Sequence, residues 1–182
     1  TAFKSPLQFA SEPALNAPDP VTLENFGTLF SGSYSFISPI AVTAQMVVLI
    51  LIGQLVFSIM AAYAFAKLRF AWRDMLFWVY LSTLMIPQVV IVIPLYTMMV
   101  QAGLRNSFWA LVLPFMFGSP YAVFLLREHF RSIPDDLIDA ARIDGAGDWR
   151  ILWQIVAPMS RGIVSTLAII TVVTHWNNFI GR

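Results

Sequence analysis

"IAVTAQMVVLILIGQLVFSIMAAYAFA", from Ile40 to Ala66, runs for 27 residues without a charge. A bilayer core of about 30 Å is crossed by about 20 helical residues, so this stretch is long enough to span it. Outward from it, no charge occurs anywhere between Glu24 and Lys67, and three further charge-free windows follow: Met75–Val100, Phe108–Leu126 and Gly162–Gly181. The competing reading is a set of buried helices in a large soluble protein. Four such windows rarely occur together in a soluble chain. Apolar residues make up 58% of the 182 and charged ones 12%, with a mean hydropathy of +0.73, against the roughly 25% charged of soluble domains. The sequence predicts an all-α, polytopic membrane helix bundle with spans at about 40–66, 75–100, 108–127 and 160–180.

Basic residues orient these spans. Lys67, Arg69 and Arg73 occupy the first connection, and Arg127, Arg131, Arg142, Arg150 and Arg161 lie in or beside the third. Only Lys4, Arg105 and Arg182 fall on the other side. The excess of Lys and Arg on the cytoplasmic side of membrane proteins puts the first and third connections inside. Residues 1–37, with "SEPALNAPDPVTLEN", read as an extracytoplasmic, partly irregular loop. Because this loop opens the chain without a signal pattern, a preceding span is expected, and one after Arg182 as well.

Several chemistries lose support. There is no cysteine, hence no disulfide or thiol chemistry. The only histidines, His129 and His175, do not form an HExxH pair, so no metal site is expected. Neither lysine follows a phosphate-binding glycine loop, and no carboxylate lies inside a window to carry proton coupling. A net charge of +1 argues against a nucleic-acid partner. The chain is not expected to be an enzyme.

The spans carry amides, hydroxyls and small residues instead. Thr43, Gln54, Ser58 and Ala61 share one helical stripe, which reads first as bundle packing and second as substrate contact. Pro87 and Pro94 kink the second span. His175, Trp176, Asn177 and Asn178 sit near the outer interface, where an aromatic belt and a cavity lining are both open readings. Gln54, Gln88, His175, Asn177 and Asn178 are the candidate substrate path. These groups favour a neutral polyhydroxyl cargo over an organophosphate, because no Lys or Arg within a span compensates an anion.

The polar segment 131–158 holds the other candidate site. In "RSIPDDLIDAARIDGAGDWRILWQIVAP", Ser132 reads as an N-cap with Asp135 as its capping partner and Pro134 in the first turn. Leu137, Ala140, Ala141 and Asp144 then share a face, and Gly145 ends the helix through a positive φ. Asp148 is expected to cap a second helix carrying Trp149, Leu152, Trp153 and Val156. Ala140 and Ala141 would admit a close partner, as when a helix docks into a protein groove. Periodicity alone leaves an amphipathic element lying on the membrane equally open.

The segment resembles the permease subunits of binding-protein-dependent ABC importers, whose cytoplasmic motif is EAA, three residues, G, nine residues, I-x-L-P. Here Asp139, Ala140 and Ala141 precede Gly145 by three residues, and Ile155–Pro158 follow after nine. Asp139 stands for Glu and Ala157 for Leu. "FLLREHFRSIPDDLIDAARIDGA" and "STLAIITVVTHWNNF" are similar to the carbohydrate-uptake branch, with maltose-permease-type and glycerol-phosphate-permease-type subunits; the resemblance covers about residues 36–180. It implies a type I importer fold whose transmembrane domain takes in residues 38–182, with the first and sixth spans absent from this chain. It also implies a coupling helix near Ile133–Gly147, with Ile133, Pro134, Leu137, Asp139, Ala140, Ala141, Asp144, Gly145 and Pro158 as ATPase-coupling residues. The implied partners are a second permease subunit, an ATPase dimer that binds ATP and Mg, and an extracytoplasmic solute-binding protein. This chain then carries no cofactor and lies in a bacterial or archaeal cytoplasmic membrane. A fragment of an ion-coupled secondary transporter, and a membrane assembly subunit without a transport role, are the alternatives.

Overall fold

The computed structural model describes residues 2–13, 16–17, 19–31 and 36–177, and these form helices and no strand. They fall into two compact units, Thr1–Gln45 and Met46–Arg182.

The first unit contains two short helices, α1 (Pro6–Ser11) and α2 (Glu24–Ser31), within the segment read as partly irregular. Ser5 caps α1 in a capping box with Gln8, and Pro6 occupies the first turn, where its missing N–H has no partner to lose. Lys4 is buried and donates to the Glu12 carboxylate at 3.3 Å and the Pro13 carbonyl at 3.0 Å. Asn25 donates to the carbonyls of Ala2 and Lys4, and the Phe3 and Phe26 rings lie 5.5 Å apart.

The opening stretch of sequence is one continuous helix, α3 (Ile37–Lys67), 31 residues long. Its one proline, Pro39, falls in the first turn. After a left-handed Trp72 (φ 64°) come α4 (Arg73–Ser82), a 3₁₀ turn (Thr83–Met85) and α5 (Gln88–Gln101). The chain bends by 102° between Met85 and Gln88, so the second window is a broken pair rather than a straight rod. Pro87 supplies the break and Pro94 stays inside α5, because only the first lies where the helical ladder has already stopped. Then follow α6 (Phe108–Met116) and α7 (Pro120–Arg131), which together are long and apolar enough to cross a membrane, as α3 is.

Helix α8 (Asp135–Ile143) begins the polar segment. Beyond it lie α9 (Asp148–Ile151), a π-helical turn (Leu152–Val156), α10 (Ala157–Met159) and α11 (Arg161–Trp176), with an 81° bend before α11. The π-turn was not foreseen. Pro158 has no N–H for the Gln154 carbonyl, and the helix widens in the turn just before it.

In the second unit, small residues bring α3 against α6 and α7. A β-carbon on Gly53 would stand 2.6 Å from the Met116 carbonyl oxygen, and one on Gly118 would stand 3.3 Å from the Phe57 backbone. Ser58 is fully buried and accepts from the Ser119 N–H at 3.2 Å, so this position of the small, polar stripe serves helix contact. The apolar core gathers Ile59, Ala62 and Tyr63 of α3, Phe77 of α4, Val123, Leu126 and Phe130 of α7, Ile138 of α8 and Leu167 of α11. It therefore closes around the end of α3 where the basic residues begin.

Candidate functional site: the polar segment and its seat on α3

Two capping expectations are corrected. Ser132 ends α7 instead of starting α8, and its hydroxyl donates to the His129 carbonyl at 2.7 Å. Pro134 takes the cap position of α8 with extended backbone and no side-chain bond. Asp135, the first residue of the helix, turns to Lys67 of α3 instead, at 2.6 Å. A carboxylate facing an ammonium gains more than one accepting from a neutral backbone N–H, as it would in a capping box. Asp148 likewise is not a cap: Gly147 holds that position, and Asp148 accepts from the Tyr63 hydroxyl at 3.2 Å and from Arg142 at 3.0 Å.

The turn after α8 forms as expected. Gly145 has φ +82°, its N–H bonds the Arg142 carbonyl, and the Ala146 N–H reaches back to the Ala141 carbonyl at 2.9 Å. This is the paired closing pattern of a helix ended by a left-handed glycine.

The residues of the predicted face divide. Leu137 (45% exposed), Ala140 and Asp144 stand in the open beside Ile143 (87%). Ala141 is half-buried and packs on this chain's own core, as Ile133 and Ile138 do more deeply. The helix thus seats itself through Ile133, Ile138 and Ala141 and leaves Leu137, Ala140, Ile143 and Asp144 outward. Asp139 is exposed and pairs with Arg142 at 3.6 Å, Pro134 is exposed, and Pro158 is half-buried in α10.

A polar cavity of about 660 Å³ lies beside α8, lined among others by Lys67, Arg69, Arg73, Asp135, Arg142 and Asp148. The Lys67 hydrogen bond holds the Asp135 carboxyl below its ordinary value. Arg73 does the same for Asp74, and the Asp148 carboxylate raises Arg142 above its own. Next to the cavity, Arg127 is 8% exposed, lies 4.0 Å over the Phe77 ring, and donates to the Phe65 carbonyl, Asp74 and Glu128.

Tyr63, Lys67, Arg127 and Asp148 were not singled out in the sequence as site residues. Lys67 and Arg127 were legible only as topology signals, and Tyr63 only as one more aromatic in a span. Their long-range hydrogen bonds join residues 53 to 85 positions apart.

The described candidate path residues lie in α3, at the start of α5 and at the end of α11. Gln54 lies in α3 with its Oε1 buried and without a hydrogen-bond partner among the described residues. Gln88 is exposed at the first residue of α5, and His175 is buried with its ring 5.3 Å from Phe115. Asn177 turns its amide back to the Val173 carbonyl at 2.9 Å, closing α11. Asn178 lies outside the described residues.

The chain is 39% identical over 146 residues to the sn-glycerol-3-phosphate transport system permease protein UgpE of Yersinia pestis, covering 80% of this chain and 49% of that one. It is 33% identical over 185 residues to the diacetylchitobiose uptake system permease protein NgcG of Streptomyces coelicolor, covering 99% and 59%. It is 32% identical over 163 residues to the arabinooligosaccharides transport system permease protein AraQ of Halalkalibacterium halodurans, covering 90% and 58%. The chain thus spans about half to three-fifths of the length of these relatives. In fold it matches a chain of a bacterial ABC transporter involved in the import of the acidic polysaccharide alginate, with a TM-score of 0.86 at 23% identity, over 97% of this chain and 62% of that one. The family described as "Binding-protein-dependent transport system inner membrane component" matches residues 54–181, a range that takes in both the seat on α3 and the whole polar segment. This chain belongs to that family of multi-pass membrane permeases.

Proposed function

We propose that this chain is the membrane-spanning subunit of an ATP-driven importer and that α8 is its joint to a separate ATPase subunit. The carrying observation is the division of α8: one face is anchored in this chain's core, and the other, with Leu137, Ala140, Ile143 and Asp144, is open. A short helix with an apolar and small-residue ridge suits a groove on a soluble partner. ATP and Mg belong to that partner, and this chain carries no cofactor of its own. A second permease subunit completes the path, and an extracytoplasmic binding protein delivers the solute.

The solute is a sugar, an oligosaccharide or a glycerol-phosphate-type molecule. Relatives named for sugars and for glycerol phosphate both support this class. The spans offer amide and hydroxyl groups and no cation, which favours neutral polyhydroxyl cargo. The test is reconstitution of the full-length chain with its ATPase, second permease and binding protein in vesicles. ATP-dependent uptake of a sugar from a panel of sugars and glycerophosphodiesters is expected. Uptake of the phosphodiesters alone would overturn the neutral preference, and uptake driven by an ion gradient without ATP would overturn the importer itself.

A further inference from the structure

We propose that the end of α3 and helix α8 move as one body during transport, with Tyr63, Lys67 and Asp148 as the positioning residues that clasp them. The proposal rests on the importer reading above and adds a route by which α3 receives the motion.

Polar contacts at the start of α8 and just beyond its end converge on a single face of α3. At the leading end, the Lys67 ammonium bonds both the Asp135 carboxylate at 2.6 Å and the Ile133 carbonyl at 2.8 Å. Its side chain is 6% exposed, which shelters the bond to the Ile133 carbonyl, while the Asp135 carboxylate, 79% exposed, still meets water. At the trailing end, Asp148 is held by the Tyr63 hydroxyl and by Arg142 of α8 itself. Tyr63 and Lys67 are four residues apart and therefore one turn apart on one face of α3. Between the clasps, Ile138 and Tyr63 belong to the same buried core, at 2% and 3% exposure.

The covalent route from α8 to its next span is less direct. It passes the Gly145–Gly147 turn, the π-turn and the 81° bend before α11. A displacement of α8 therefore reaches α3 through short charge-assisted bonds and packed side chains, while α11 receives it through a bent connection.

The experiment uses the complete transporter in vesicles, with ATP hydrolysis and solute uptake read in the same sample. Lys67→Met combined with Asp148→Asn is expected to lower uptake at least about tenfold while hydrolysis stays within about twofold. Lys67→Arg, which keeps a cation within reach of both acceptors, is expected to retain the normal ratio. Tyr63→Phe removes one hydrogen bond without changing the packed ring, and it is expected to lower the ratio by an intermediate amount. It also serves if the double variant does not assemble. Hydrolysis and uptake falling together, or an unchanged ratio in both Tyr63→Phe and the assembled double variant, would overturn the clasp. Absence of ATP-dependent uptake in the unsubstituted transporter would instead overturn the importer reading, on which the clasp depends.

Discussion

Helices α5 and α8 contrast in a way that hydrophobicity alone gets backwards. Helix α5 is apolar nearly all round, yet none of its residues is buried; Val89 and Ile93 are 71% and 76% exposed. Helix α8 carries four charges in nine residues, yet Ile138 is 2% exposed and two ion pairs and a hydrogen-bonded aspartate hold the segment in place. In lipid, an apolar side chain gains little by leaving hydrocarbon for a neighbouring helix, so α5 has no strong reason to pack on its own chain. Toward water, burying Ile138 removes apolar surface from the solvent, and the clasping polar groups select the seat.

That contrast is broken most directly at its two isoleucines. Ile138→Ala is expected to lower the stability of the purified protein by about 2–5 kcal/mol, by lost transfer energy and a residual cavity. Ile93→Ala should change it by less than about 0.5 kcal/mol, as for an exposed position. Thermal unfolding in detergent measures both, and equal costs would end the distinction between the helices.

The next effect concerns the turn that ends α8. Gly145→Ala should cost about 1–2 kcal/mol, the penalty of a β-carbon at positive φ. No atom beyond the adjoining residues lies within 4 Å of the added carbon, so the cost is local to the backbone at this turn. The same unfolding measurement applies, and a neutral result would mean that the turn relaxes out of the left-handed region.

The two faces of α8 separate further at its paired alanines. Ala140→Trp places the ring on the exposed face, and its effect on the stability of the chain alone should stay within about 0.5 kcal/mol. It should nonetheless abolish copurification of the ATPase. Ala141→Trp, directed at the chain's own packing, should destabilise the chain by about 1–3 kcal/mol through overpacking. Retention of the ATPase by Ala140→Trp at normal expression would remove the docking assignment.

The smallest effect is a pH dependence. Lys67 lowers the folded-state value of Asp135 below 3.8, so the stabilisation is complete above that ordinary value and is lost as pH falls through the lowered one. The stability difference between the natural chain and Lys67→Met should therefore be flat from about pH 7 to about pH 5 and shrink below about pH 4. A difference that shrinks already near neutrality would mean that Asp135 is not the partner.

Much of the architecture was legible in the order of residues. Charge-free length marks α3 as a membrane-crossing helix because the bilayer has one thickness, and that inference needs no tertiary information. Gly145 was legible because only a residue without a β-carbon takes positive φ freely. The motif spacing from Asp139 to Pro158 likewise identified the family before any contact was known. What the tertiary structure alone decided is where the polar side chains point. Asp135 and Asp148 sit where local rules place caps, but Lys67 and Tyr63, distant in sequence, outcompete the local backbone for their carboxylates. Ala140 and Ala141 are neighbours in sequence, and only the seat of Ile138 on the core turns one outward and the other in. Local signals report what a residue can bond within a turn; a charged partner brought close by packing offers a stronger bond, and folding chooses that one.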